Sequence, residues 1–68
     1  MAINYKGLFK ILEERKISLT DMSDDLKLSS VTRAKFRKGE YVSLQTLEAI
    51  CKYLSVNVND IFAFETPN

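Results

Sequence analysis

Residues 18–44 hold two short amphipathic segments, each opened by a serine, and a connection of about three residues joins them. Ser18 opens the first segment and Ser29 the second; Gly39 closes the second, and a third segment opens at Ser43. A serine just before an amphipathic run acts as a helix N-cap. Its side-chain oxygen accepts from backbone N–H groups that the first turn cannot satisfy internally. Ser18 with Asp21 resembles a capping box, with Asp as a shorter partner than Glu or Gln. Two short helices joined so closely have no room to lie antiparallel, so they cross steeply. The spacing predicts a helix-turn-helix.

The second of these segments is also where positive charge collects. The net charge is only +1, low for a chain that binds a polyanion. Its distribution is uneven. From Lys27 to Glu40, Lys27, Arg33, Lys35, Arg37 and Lys38 stand against Glu40 alone, a local balance of +4. From Glu13 to Asp25, five carboxylates stand against Arg15 and Lys16, a balance of −3. One face of the folded chain is expected to be basic. At 68 residues this is a single domain over 1–68, with a core at about 4–64 and a frayed tail at 65–68. A chain of that size buries roughly 60% of its unfolded surface. Its single cysteine forms no internal disulfide, and it shows neither a signal peptide nor an apolar run of about 18 residues. The expected location is cytoplasmic, with no membrane partner.

Hydrophobic periodicity predicts five helices and no strand, an all-α fold. The first runs from a cap at Asn4 to Arg15 or Lys16, with Tyr5, Leu8, Phe9 and Leu12 on one face and Ile11 widening it. The second covers about 19–26 with Met22 and Leu26 inward, and the third covers about 30–38 and ends at Gly39. The fourth runs from Ser43 to about Leu54 and turns Leu44, Leu47, Ile50, Cys51 and Leu54 inward. A short fifth, capped by Asn57 with Asp60 at its third position, buries Ile61 and Phe62.

Catalysis and metal binding find little footing. There is no histidine, the commonest general base. Cys51 falls at core spacing, where a free cysteine behaves as a small apolar residue. Asp21, Asp24 and Asp25 lack the glycine and further ligands of a calcium loop, so they read as a solvated face. With Gly7 and Gly39 as the only glycines, no glycine-rich phosphate loop is present. No cofactor, metal or enzymatic role is expected.

Three stretches carry a family resemblance: Leu28-Ser-Ser-Val-Thr-Arg-Ala-Lys-Phe-Arg-Lys-Gly39, Val42-Ser-Leu-Gln-Thr-Leu-Glu-Ala-Ile-Cys-Lys-Tyr-Leu54 and Val58-Asn-Asp-Ile61. Together they resemble the Cro and phage-repressor type of helix-turn-helix, also called the xenobiotic response element (XRE) family. The likeness spans about Tyr5 to Phe64, and its most specific part resembles small single-domain bacterial and phage regulators. The resemblance implies a five-helix, lambda-repressor-like domain that binds operator DNA. Carried over position by position, it implies base reading by Ser30, Val31 and Lys35. It implies backbone contacts from Ser18, Leu19, Thr20, Arg37, Lys38 and Gly39.

The chain departs from the family pattern at three places. Lys27 stands where the turn usually has glycine, so it either bears the left-handed penalty of order 1 kcal/mol or the turn differs. Leu19 replaces a usual Gln. Arg33 replaces a buried Ile or Leu, so it snorkels or pairs with Asp24 or Asp25, or else helix 3 is rotated and Arg33 joins the base readers.

Each functional residue has a plainer reading. Lys35, Arg37 and Lys38 fit a solvated face, Ser30 a first-turn residue and Val31 packing on Ala34. Tyr41 either stacks on a backbone sugar or covers the core, and Tyr53 fits core or dimer packing. The expected function is a sequence-specific transcriptional regulator, a repressor that occludes a promoter as a homodimer on a palindromic or half-site operator. Ile61, Phe62 and Phe64 are the expected dimer contacts. The alternative is a protein-interaction module or antirepressor-like regulator, a reading that the low net charge, the acidic second segment, Leu19 and Arg33 all favour. An antitoxin or phage accessory regulator is a third possibility.

Overall fold

In the computed structural model, which describes residues 2–65, all three serines cap the helices they precede. Ser18 Oγ accepts from the Asp21 amide at 2.9 Å, Ser29 Oγ from Thr32 at 3.1 Å and Ser43 Oγ from Thr46 at 3.1 Å. The elements run β1 (Ala2–Asn4), α1 (Lys6–Glu14), α2 (Leu19–Asp25), α3 (Ser30–Lys38), α4 (Leu44–Leu54), a 3₁₀ turn (Val58–Asp60) and β2 (Ala63–Glu65).

The all-α, five-helix expectation is therefore corrected: the fold is mixed α/β, with four α-helices and a two-stranded antiparallel sheet. Ile3 stands opposite Phe64, Asn4 opposite Ala63 and Ala2 opposite Glu65. Asn4 ends a strand instead of capping a helix; Tyr5 is the N-cap of α1 and makes no side-chain cap, although Asn4 Oδ1 accepts from the Lys6 amide at 3.3 Å. The fifth helix is a single 3₁₀ turn, steadied by the Asn57 amide donating to Asp60 Oδ2 at 3.1 Å. Glu65 belongs to β2, and the rest of the expected tail lies outside the described residues.

Each helix is followed by one residue in the left-handed conformation: Lys16, Lys27, Gly39 and Ser55, with φ of +58°, +57°, +72° and +56°. Lys27 thus does take the left-handed backbone, at a cost of order 1 kcal/mol. The residue after each turn donates back five positions, Ile17 to Leu12, Leu28 to Ser23, Glu40 to Lys35 and Val56 to Cys51, at 2.8–3.1 Å. These bonds satisfy helix-end carbonyls and offset the strain.

One core joins β1 and the four α-helices, and Ile61, just after the 3₁₀ turn, closes it. Ile3, Tyr5, Leu8, Leu12, Leu19, Met22, Phe36, Leu47, Ile50, Leu54 and Ile61 are buried in it. Two members of the expected apolar faces fall outside: Phe9 is 37% exposed and Leu44, in the first turn of α4, is 80% exposed. Cys51 is half-buried, and burial followed by the negative charge of Asp60 pushes its pKa up. Polar ties lock the helices together at the rim. Arg15 donates to the Leu54 carbonyl at the end of α4, where a cation is favoured by the helix dipole. Tyr53 donates to Asp25 and so links α4 to α2; that hydrogen bond is the main cause of the raised Tyr53 pKa. Gly7 allows the closest approach of all. A Cβ there would lie 2.1 Å from the Asp60 carbonyl oxygen, and the next residue, Leu8, donates to the Ile61 carbonyl at 3.0 Å.

Candidate nucleic-acid interface

The rotation of α3 about its own axis decides which side chains it offers to a partner. Phe36 is the one buried residue of α3, and it meets the Tyr5 ring edge-on at a centroid distance of 4.9 Å. Tyr5 is itself buried, which raises its pKa, and its hydroxyl donates to the Glu40 carbonyl at 2.6 Å. The end of α3 is thereby fastened to the start of α1. At about 100° per residue, the side opposite Phe36 carries Ser30, Val31, Ala34 and Lys38, and Arg37 lies about 100° around on one flank. Val31 is 66% exposed, and Ser30, Arg37 and Lys38 are exposed as well.

The other expected readers sit on the flanks. Lys35 lies about 100° around from Phe36 and is half-buried. Arg33 lies about 60° around on the other side, also half-buried, so the rotated arrangement is not the one adopted. Nor is Arg33 paired with Asp24 or Asp25; among the described residues the only ion pair is Glu48 with Lys52. Ala34 enters the sequence analysis only as a packing partner for Val31, and it is half-buried. It is centred on the outward face, and counting from Phe36 was enough to find it.

At the start of α2, Leu19 turns its side chain into the core while Ser18 and Thr20 are exposed. The Ser18 cap uses the Asp21 amide, which leaves the amides of Leu19 and Thr20 without a helical acceptor. At the other end of the motif, Gly39 caps α3 beside Lys35, Arg37 and Lys38 in its last turn. Those cations also complement the helix dipole, which is their plainer role. The dimer-contact expectation needs one correction: Ile61 is 0% exposed and belongs to the core. Phe62 is half-buried, whereas Phe64 is 57% exposed and meets Phe62 edge-on at 5.4 Å and Tyr41 at 6.4 Å.

Comparison with known proteins bears directly on this geometry. Residues 8–67 match the Cro/C1-type HTH DNA-binding domain. The chain belongs to the Cro/C1-type helix-turn-helix family. A Cro/C1-type domain with this arrangement is a sequence-specific DNA-binding transcriptional regulator and not an enzyme. The crystal structure of the transcriptional regulator VanUg, form II, superposes on it with a TM-score of 0.88 at 35% identity, covering 91% of this chain and 83% of that one. No curated protein sequence matches the chain. Among the described residues of this Cro/C1-type domain, no helix is long and apolar enough to cross a membrane.

Proposed function

We propose that α3 enters the major groove of an operator, with Ser30, Val31 and Lys35 toward base edges. Ser18, Leu19, Thr20, Arg37, Lys38 and Gly39 hold phosphates around it. The observation that carries this reading is the single anchor of α3: Phe36 is buried, and Ser30, Val31 and Lys38 on the opposite side are exposed. Val31 suits a thymine methyl, and Lys35 suits the acceptors of guanine. Leu19 contributes its backbone amide, since its side chain is committed to the core. Arg33 is half-buried on the inner flank of α3 and is better suited to positioning the helix than to reading bases. A domain seated over a promoter excludes polymerase, which makes repression by occlusion the simplest mechanism.

Salt-titrated binding to DNA upstream of the protein's own coding sequence tests this. Lys38→Ala is expected to weaken binding to all sequences alike and to lower the salt slope by about 0.9. Lys35→Ala is expected to relax base preference as well, at about 1–3 kcal/mol. If the double substitution leaves operator binding unchanged, α3 is not the DNA-contacting helix. Binding with no salt dependence would favour a protein partner instead.

On a palindromic operator, two copies would occupy half-sites about 10 bp apart. Tyr41, Phe62 and Phe64 form the aromatic surface best suited to join them. Light scattering at micromolar concentration is expected to show a dimer for the parent and a monomer for Phe64→Ser. A parent that stays monomeric, with Phe64→Ser changing only its stability, removes this surface from consideration.

A further inference from the structure

A depression of about 280 Å³ lies between β1, the start of α1 and the end of α3. Lys6, Arg37 and Lys38 line it, with Phe9 on its apolar side and Glu65 as its one carboxylate. Lys6 is far from the other two cations in sequence, and three contacts of the fold bring it to them. The Ile3 carbonyl runs so close to Gly39 that a Cβ there would stand 2.8 Å from it. Tyr5, next to Lys6, reaches the Glu40 carbonyl with its hydroxyl and the Phe36 ring with its own ring.

Three cationic side chains line one small depression against one carboxylate, and none of the three is in an ion pair among the described residues. That positive balance favours an anion. At about 280 Å³ the depression has ample room for a phosphate group. Lys38 is on the outward side of α3 and Arg37 is exposed on its flank, so the depression continues the surface assigned to DNA.

We propose that Lys6, Arg37 and Lys38 together seat one phosphodiester of the operator backbone, carrying the DNA contact from α3 onto the start of α1. This rests on the DNA-binding reading above. Glu65 opposes the phosphate, so its neutralisation and that of Lys6 should act in opposite directions.

The test uses the full chain and a labelled duplex from its upstream DNA, titrated at several salt concentrations. Lys6→Ala is expected to weaken binding about threefold at 0.1 M salt and to lower the salt slope by about 0.9, whereas Glu65→Gln strengthens it. Lys6→Gln, with unchanged far-UV circular dichroism, should repeat the Lys6→Ala result and separates charge from folding. If Lys6 and Glu65 variants bind like the parent while Lys38→Ala weakens binding, the phosphate seat is overturned and the DNA reading stands. If Lys38→Ala and Lys35→Ala are also silent, both fail. Inorganic phosphate distinguishes the source of the anion. Weak, millimolar shifts of the Lys6 and Gly39 amides fit a backbone seat, whereas saturation at micromolar phosphate overturns it in favour of a free-phosphate site.

Discussion

Gly7→Ala is expected to destabilise the domain severely, lowering its melting temperature far below that of the parent. In an isolated helix this substitution is stabilising by about 1 kcal/mol, because alanine has less backbone freedom to lose. Here the added methyl would lie 2.1 Å from the Asp60 carbonyl oxygen, well inside van der Waals contact, and the neighbour is backbone. Relief requires the 3₁₀ turn to lift from α1, which breaks the 3.0 Å hydrogen bond from Leu8 to Ile61 and uncovers the buried Ile61 side chain. Overpacking of this severity, with a lost buried hydrogen bond, costs about 3–5 kcal/mol. A domain of this length has roughly 3–10 kcal/mol in total. The clash therefore outweighs the propensity gain and removes a large share of the available stability. Thermal melting followed by circular dichroism decides the matter. A variant that melts at or above the parent would mean that the Asp60 carbonyl does not sit on α1.

The second large effect is expected at α4. Ile50 is fully buried and Leu47 nearly so, and truncating either to alanine removes buried methyl groups and leaves a cavity. The cost is about 2–5 kcal/mol for each. Leu44, on the same helix, is 80% exposed, and Leu44→Ala should change stability by no more than about 0.5 kcal/mol. The three variants lie on one helix and each ends in alanine, so burial is the chief difference between them. Urea titration should lower the midpoint for Leu47→Ala and Ile50→Ala with little change in slope. Equal effects at all three positions, or melting within a degree or two of the parent for Ile50→Ala, would place the inward face of α4 elsewhere.

What the sequence made legible was what is signalled locally. The helix starts at Ser18, Ser29 and Ser43 and the stop at Gly39 depend on a side chain and amides three positions away, so they can be read from neighbouring residues. The cations that end α3 were legible for the same reason. The sheet was not, because three residues of strand provide barely one alternation, and its partner lies at the other end of the chain. Asn4 misled because its side chain does accept from the Lys6 amide, as a cap would, while its backbone pairs in β1. The run Ile61-Phe-Ala-Phe64 has no helical or strand period to divide it. Only the fold shows that Ile61 faces inward and Phe64 outward. Arg33 was ambiguous because α3 has so few apolar residues that its rotation hangs on Phe36. Lys6 was passed over because its position beside Arg37 and Lys38 depends on β1, the element that was missed.

The pairing of β1 with β2 also bears on how the domain assembles. Asn4 and Ala63 are about 60 residues apart, and closing a loop of that length costs about 2 kcal/mol more chain entropy than a four-residue hairpin. A ribbon of two three-residue strands cannot supply that by itself. It is held by what packs beside it: Ile3 lies in the core, and Phe64, its cross-strand partner, packs against Tyr41 and Phe62. The helices, whose contacts are largely local, can form before the strands meet, so the sheet is the last part to close and the first to open. Amide hydrogens in the strands should then exchange through brief local openings, while those near Ile50 wait for the whole domain to come apart.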